Sequence, residues 1–204
     1  MGSALKQPDT ASPFVRAFAA VPIPEAVRTT LAAVQQRLRA TRAHVGWVPP
    51  PNIHLSLAFL GSVERSALPL LALALDTAAG ACVSFAVRVA ELGTFGSTRS
   101  PRVIWAGVEP ADALHALQRR VAAAIEECGV ALEPRPYRPH LTLGRVRSPR
   151  GRQALVAALA AEPPLDAGVL PVNRVRLMQS VLSSAGARYS VLHETALRTQ
   201  GGRA

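Results

Sequence analysis

The feature that most constrains this chain is that it reads twice. His54-Leu55-Ser56-Leu57 and His140-Leu141-Thr142-Leu143 share one pattern and lie 86 residues apart. The same offset carries Phe18 onto Ile104, Pro24 onto Pro110 and Val89 onto Val175. Between these landmarks the hydropathy follows one order in both halves: strand, helix, strand, helix, strand. In the first half the strand Val15–Val21 precedes a helix over Glu25–Arg39, with Pro24 in its first turn. Trp47-Val48 is a short extended piece. A strand over Ile53–Leu60 is closed by Gly61-Ser62, and a helix follows over Leu68–Ala79. A strand over Val83–Leu92 puts Val83, Phe85, Val87 and Val89 on one face. In the second half the strand Val103–Val108 leads to a helix from about Ala111 to Cys128, stopped by Gly129. A Pro-containing loop, Glu133–Pro139, then opens the strand His140–Val146. A helix near Gln153–Ala161 and a strand over Val172–Val181 complete the repeat. Tyr189–Ala196 is the hairpin partner of that strand across Ser184-Ala185-Gly186. The expectation is an α+β chain of two pseudo-symmetric lobes, each an antiparallel sheet with outer helices, and a site in the cleft between them. Residues 1–12 read as a loose tail. Residues 13–204 read as a single bilobal domain, with repeats of about 14–97 and 100–183.

Composition narrows the chemistry. With 49% apolar and 18% charged residues among 204, the chain is not a disordered one. The net charge of +10 favours polyanionic partners. Of 23 basic residues all but Lys6 are arginine, which leaves no lysine for a P-loop, a buried catalytic amine or an adenylated intermediate. Cys82 and Cys128 have no disulfide or metal-ligand spacing and read as reduced thiols. The first dozen residues are polar and lack an apolar signal region, and the apolar run Leu68–Leu75 is too short to span a bilayer. A cytoplasmic protein with no membrane association is expected, with a monomer as the default.

In a strand, residues two apart share a face. His54 and Ser56 therefore point one way while Leu55 and Leu57 point the other, and His140 and Thr142 repeat the arrangement. Two imidazoles and two hydroxyls form a polar cage without a carboxylate. One neutral imidazole can take a proton from water, and one protonated imidazole can give a proton to a leaving oxygen. The hydroxyls can hold the non-bridging oxygens of a phosphate as charge builds. This equipment suits metal-free cleavage of a phosphodiester, best of all a strained cyclic one. A single such tetrapeptide carries little weight, and a strand histidine is commonly structural. Two in equivalent places of a repeat carry much more. A zinc site is disfavoured by the lack of neighbouring Cys or carboxylate partners.

The paired motifs resemble those of the 2H phosphoesterase superfamily, and within it the bacterial and archaeal RNA 2′,3′-cyclic phosphodiesterases, formerly called 2′-5′ RNA ligases. The resemblance runs from about Val15 to Leu197. It is carried by Arg16 to Pro24, by Trp47-Val48 with Asn52-Ile53-His54-Leu55-Ser56-Leu57 and Phe59-Leu60-Gly61, by Arg135 to Leu143, and by Ser180 to Tyr189. Ser56 stands where threonine is common. The resemblance implies the 2H phosphoesterase fold, no cofactor and no metal. It implies hydrolysis of an RNA 2′,3′-cyclic phosphate end to a 2′-phosphate, with tRNA fragments among the candidate substrates. It assigns His54 as proton donor to the 3′ oxygen and His140 as proton acceptor from water. The pseudo-symmetric halves do not distinguish the two roles. Family members also join RNA ends through a 2′-5′ linkage without ATP, as a reverse reaction. The alternatives are an RNA-end binding module with little turnover, or a 2H phosphodiesterase acting on 2′-5′ oligonucleotides or ADP-ribose 1″,2″-cyclic phosphate.

Further residues are candidates by position. Arg138 shares the face of His140 if the strand extends back through Pro139, and would then contact phosphate. Arg145, Arg147, Arg150 and Arg152 form a basic run that either tracks an RNA backbone or is a solvated surface. Arg99 and Arg102, in the central linker, can add to the same rim. Phe18 and Tyr137 are the aromatic candidates for holding a terminal base, although Phe18 reads equally as core. Trp47 and Trp105 read as packing residues. His44, His115 and His193 lack the motif; His115 reads as exposed, and His193 is placed near the cleft.

Overall fold

The computed structural model describes residues 12–97, 99–183 and 186–199. The expected tail lies outside the described residues except for Ser12, as do Ser184 and Ala185 of the expected hairpin turn. Among the described residues the strands are β1 (Phe14–Pro22), β2 (Val45–Trp47), β3 (His54–Glu64), β4 (Phe85–Ser97), β5 (Ser100–Glu109), β6 (His140–Val146), β7 (Asp166–Val172), β8 (Arg174–Ser183) and β9 (Gly186–Ala196). The α-helices are α1 (Glu25–Arg39), α2 (Leu68–Gly80), α3 (Asp112–Glu127) and α4 (Arg152–Ala161). The strands form one antiparallel sheet in the order β7-β4-β5-β6-β3-β1-β8-β9, with β2 beside β6. None of the described helices is long and apolar enough to cross a membrane.

The sheet order is palindromic about the β6–β3 junction when β1 is matched to β5, β3 to β6 and β4 to β8. The halves are not the two sequence repeats, however. Strand β4 of the first repeat pairs with β5 of the second, and β8 of the second returns to pair with β1 of the first. This corrects the expectation that each lobe is one repeat. The cause is local: β4 runs straight into β5 through a tight turn at Ser97 and Ser100, and a short hairpin closes at far lower entropic cost than a distant pairing. Arg99 and Arg102 therefore belong to a hairpin, not to a linker between lobes.

The helices cover one face of the sheet. Helix α1 buries Val27, Leu31, Val34 and Leu38, and α3 buries Leu114, Leu117, Val121 and Ile125, each a single apolar stripe. Leu55, Leu57, Leu141 and Leu143 are buried in the same core, as their alternation with His and Ser or Thr requires. The motif side chains are left on the opposite face. Strands β3 and β6 meet through one residue pair, Leu55 with Leu141. Extending that antiparallel register by one residue sets His54 opposite Thr142 and Ser56 opposite His140.

Each motif ends in a β-bulge. In β3 the register passes from Ala20 opposite Ser56 to Ala19 opposite Ala58, so Leu57 is the extra residue. In β6 it passes from Trp105 opposite Thr142 to Ile104 opposite Gly144, so Leu143 is the extra residue. These two leucines are related by the sequence repeat. A bulge reverses the phase of the alternation beyond it. Ala58 and Gly144 accordingly turn into the core, and Phe59 and Arg145 turn out onto the face of the histidines. The bulge at Leu143 is held from behind by Gln35, which is 2% exposed. Its Nε2 donates to the Leu143 carbonyl at 2.8 Å and to the Val48 carbonyl at 2.7 Å, while the Val48 N–H also donates to Leu143 at 2.9 Å.

Several boundaries differ from the sequence reading. Strand β3 is not closed by Gly61-Ser62. Gly61 takes φ +69°, absorbs a second register shift, and lets the strand run on to Glu64. Val83 does not share a buried face with Val87 and Val89; it is exposed and forms an isolated parallel bridge with Arg198. Strand β4 continues to Ser97. Strand β7 was not expected, because Gly168 at φ +89° breaks its alternation and Pro171 interrupts its run. It is an edge strand, where proline is tolerated. Val172 ends β7, and the expected strand Val172–Val181 is β8, Arg174–Ser183.

Replacing Gln35 with methionine keeps the volume and removes both donations. The part-buried Val48 carbonyl then loses this donor, which costs about 1 kcal/mol. Urea unfolding of Gln35→Met against the unaltered chain measures this, and a loss below about 0.5 kcal/mol would show that the bulge does not need the amide.

Candidate active site

The two histidines are held in the same way. His54 Nδ1 lies 2.7 Å from the carbonyl oxygen of Asn52, and His140 Nδ1 lies 2.7 Å from the carbonyl oxygen of Arg138. A carbonyl only accepts, so Nδ1 carries the hydrogen in both rings and Nε2 is the nitrogen free to exchange a proton. This i to i−2 contact arises where the chain enters each strand. It also corrects the expectation that the strand extends back to Arg138. The strand begins at His140 and does not extend back through Pro139, so Arg138 orients the imidazole through its backbone while its exposed side chain lines the cleft.

Aromatic rings fix the other degrees of freedom. Phe18 stacks on His54 with ring centres 4.7 Å apart, and Tyr189 meets His54 edge-on at 5.4 Å. Phe18 is 3% exposed, so its face is occupied by the imidazole rather than open to a base. Asn52 also donates through Nδ2 to the Ala187 carbonyl at 2.8 Å, tying the β8–β9 hairpin to the entry of β3. On the other side Phe95 meets His140 edge-on at 4.9 Å and is backed by Trp105 at 5.3 Å. Trp105 lies flat on Gly93, where a Cβ would come within 2.3 Å of the indole.

A cleft cavity of about 450 Å³ is lined by Ser56, Thr142, His140, Arg138, Tyr137 and Arg145, with Phe59 and Phe95 on its walls. The structure thus brings together six of the eight candidates from the sequence on one wall. His54 does not line this cavity, but it is near enough to His140 for the two charges to repel. Phe18 lies beneath His54. Tyr137 packs edge-on against His115 at 5.4 Å, with its hydroxyl buried and without a partner among the described residues. Among the described residues no three His, Cys, Asp or Glu side chains gather. His193 is not in the cleft; it bonds Asp76 of α2 on the helical face at 2.8 Å. His115 is half-buried. Arg152 opens α4 half-buried.

Four residues at the site have no role assigned from the sequence: Asn52, Phe59, Phe95 and Tyr189. For Phe59 a signal exists. It stands five residues after His54, as Arg145 stands five after His140, but simple alternation puts both on the wrong face. Phe59 is 58% exposed at the cleft.

Burial lowers the pKa of both imidazoles from the ordinary 6.5, against the opposing effect of the carbonyl bonds. For His54 the charge of His140 adds to the lowering, and for His140 the charge of Arg145 does. A lowered pKa means each ring gives up its proton earlier as pH rises. The form with one proton shared by the pair is therefore populated below the ordinary imidazole range. The pH profile of kcat/KM for a cyclic phosphodiester is expected to be bell-shaped and centred below 6.5, and Arg145→Gln is expected to move one limb upward. A profile centred above the ordinary value, or one that Arg145→Gln leaves in place, would contradict this electrostatic account.

The sequence matches the 2′-5′ RNA ligase superfamily over residues 16–182. A protein of Methanothermobacter thermautotrophicus named RNA 2′,3′-cyclic phosphodiesterase is 33% identical over 86% of this chain and 95% of its own length. One of that name from Thermus thermophilus is 34% identical over 93% of each. A crystal structure of a Thermus thermophilus protein superposes with a TM-score of 0.75 at 31% identity, covering 91% of this chain and 99% of the other. E. coli LigT in complex with 3′-AMP gives 0.71 at 25% identity, covering 91% and 99%. With its two histidine strands juxtaposed across one cleft, the chain belongs to the 2′-5′ RNA ligase superfamily, the 2H phosphoesterases.

Proposed function

We propose that this protein hydrolyses RNA 2′,3′-cyclic phosphate ends to 2′-phosphates, with the two histidines as acid and base. The observation that carries the reading is the matched pair of imidazoles. Each is fixed through Nδ1 with Nε2 free, and each stands by register opposite a hydroxyl of the other motif. The relatives named RNA 2′,3′-cyclic phosphodiesterase support the substrate class.

The roles are those that the family resemblance assigns, His140 as base and His54 as acid; burial, with the charge of Arg145 adding, favours the neutral form of His140. His140 Nε2 takes a proton from water, and the water oxygen bonds to phosphorus. The P–O3′ bond breaks, and His54 Nε2 gives its proton to O3′. The product is a 2′-phosphate beside a free 3′-hydroxyl, and proton exchange with solvent resets the pair. Ser56 and Thr142 donate to the non-bridging oxygens as negative charge grows. Arg145 balances that charge, and the exposed ring of Phe59 offers a face for the terminal base. The same groups can activate an RNA 5′-hydroxyl in place of water, which would give a 2′-5′ linkage without ATP. No lysine is needed for either route.

The direct test is a short RNA ending in 2′,3′-cyclic phosphate, incubated with EDTA and without ATP. A 2′-phosphate product is expected, and His54→Ala or His140→Ala should each lower turnover by roughly 10³-fold or more. Ser56→Ala and Thr142→Ala should each cost about 10²-fold. A 3′-phosphate product, a strict requirement for divalent metal, or loss of only a few fold on removing either histidine would refute the mechanism. Phe59→Ala should raise KM by about tenfold with little change in kcat, as loss of one stacking face predicts. An equal fall in kcat would remove Phe59 from base binding.

A further inference from the structure

We infer that the RNA body on the 5′ side of the reacting end is held on a basic ridge formed by the loops 39–44 and 147–152, at the outer end of β6. The inference rests on the RNA reading of the cleft and adds a requirement for a polymer.

The two loops are latched together. The His44 N–H donates to the Arg150 carbonyl at 3.0 Å, and the Arg147 N–H donates to the His44 carbonyl at 2.8 Å. His44 Nδ1 pairs with the Ser148 hydroxyl at 2.8 Å. Gly151, at φ +70°, lies against the Ala43 backbone where a Cβ would come within 2.7 Å. This frame presents Arg42, His44, Arg147 and Arg150, all exposed. None of them has a carboxylate partner among the described residues. The sequence supplies none nearby: no Asp or Glu occurs between Glu25 and Glu64, or between Glu133 and Glu162. Several arginines elsewhere are paired with a carboxylate, as Arg28 is with Glu25, Arg88 with Asp166, and Arg174 and Arg176 with Glu194.

The ridge is continuous with the cleft. Gly46 of β2 stands opposite Arg145, and a Cβ on Gly46 would come within 2.7 Å of Arg147 Nε. The missing side chain is the space in which the Arg147 guanidinium lies, and the register puts it on the sheet face of Arg145. Two guanidinium groups on one face without a carboxylate partner suit an anion. From His140 to Arg147 the strand rise amounts to about 20 Å, which is beyond a mononucleotide and within reach of an oligonucleotide. The large hydrophobic residues that are exposed all lie outside both loops, so the ridge lacks the apolar component of a membrane-binding surface.

The test compares Arg42→Gln/Arg147→Gln/Arg150→Gln with a control of equal charge, Arg119→Gln/Arg120→Gln/Arg198→Gln. Binding of a fluorescent RNA 10-mer ending in 2′-phosphate is followed by anisotropy over a range of salt, and turnover of a cyclic mononucleotide is measured alongside. The ridge variant is expected to bind the 10-mer at least tenfold more weakly. Its slope of log affinity against log salt should fall by about 2, as the loss of three single-strand phosphate contacts requires. Mononucleotide turnover should stay within about twofold and the control variant near the unaltered protein. The proposal is overturned if the ridge variant keeps its RNA affinity, if the control loses as much, or if only binding to anionic phospholipid vesicles is lost. If the unaltered protein turns over no cyclic phosphate yet binds RNA through the ridge, the activity reading fails and the ridge stands. If it turns over the mononucleotide and a 10-mer ending in 2′,3′-cyclic phosphate equally with equal salt dependence, the ridge fails and the activity reading stands.

Discussion

The two halves of the sheet are joined through a single residue pair, Leu55 with Leu141, and the cleft takes its geometry from that junction. Both leucines are fully buried, so the contact is fixed from the helical side. On the open side it leaves four polar groups in a diagonal arrangement, each imidazole across from the hydroxyl of the other strand. No loop sets their separation. The strand register does, and the register is strongly specified because a one-residue slip would move every leucine of the motif into solvent.

What differentiates the two copies lies just beyond this junction. The bulges at Leu57 and Leu143 are equivalent, yet one delivers Phe59 and the other Arg145. An apolar ring and a cation therefore occupy symmetric places around a symmetric pair of histidines. The support behind them differs as well. Gln35 holds the bulge at Leu143, whereas the repeat puts Val121, an apolar residue, at its counterpart. A duplicated frame thus retains its histidine and hydroxyl pairs and varies what surrounds them. His54 is enclosed by Phe18 and Tyr189, while His140 stands beside Phe95 and Arg145. Equal imidazoles thus sit in unequal surroundings.

Much of this was legible in the chain. The helices Glu25–Arg39 and Asp112–Glu127 follow from their apolar stripes, and the shared face of His54 with Ser56 follows from the period of a strand. The repeat located both motifs. Three things were hidden for physical reasons. The exchange of β4 and β8 between halves depends on which edges meet, and periodicity within one strand is blind to that. The bulges invert the alternation, so Phe59 reads as inward-facing and Arg145 as one member of a basic run. The carbonyls of Asn52 and Arg138 orient the imidazoles through the backbone, where side-chain identity carries no trace. Phe18 reads both as a base platform and as core, and its register on β1 decides for the core, under His54.

The central claim is that each imidazole carries its hydrogen on Nδ1 and leaves Nε2 free. Long-range ¹H–¹⁵N correlation of the histidine rings, recorded through a pH titration of the protein, tests it without substrate. The account predicts that His54 and His140 both hold the Nδ1–H tautomer when neutral, and that both titrate below the ordinary 6.5. An Nε2–H tautomer on either ring would contradict it, because the nitrogen not held by a backbone carbonyl would then be unable to take up a proton.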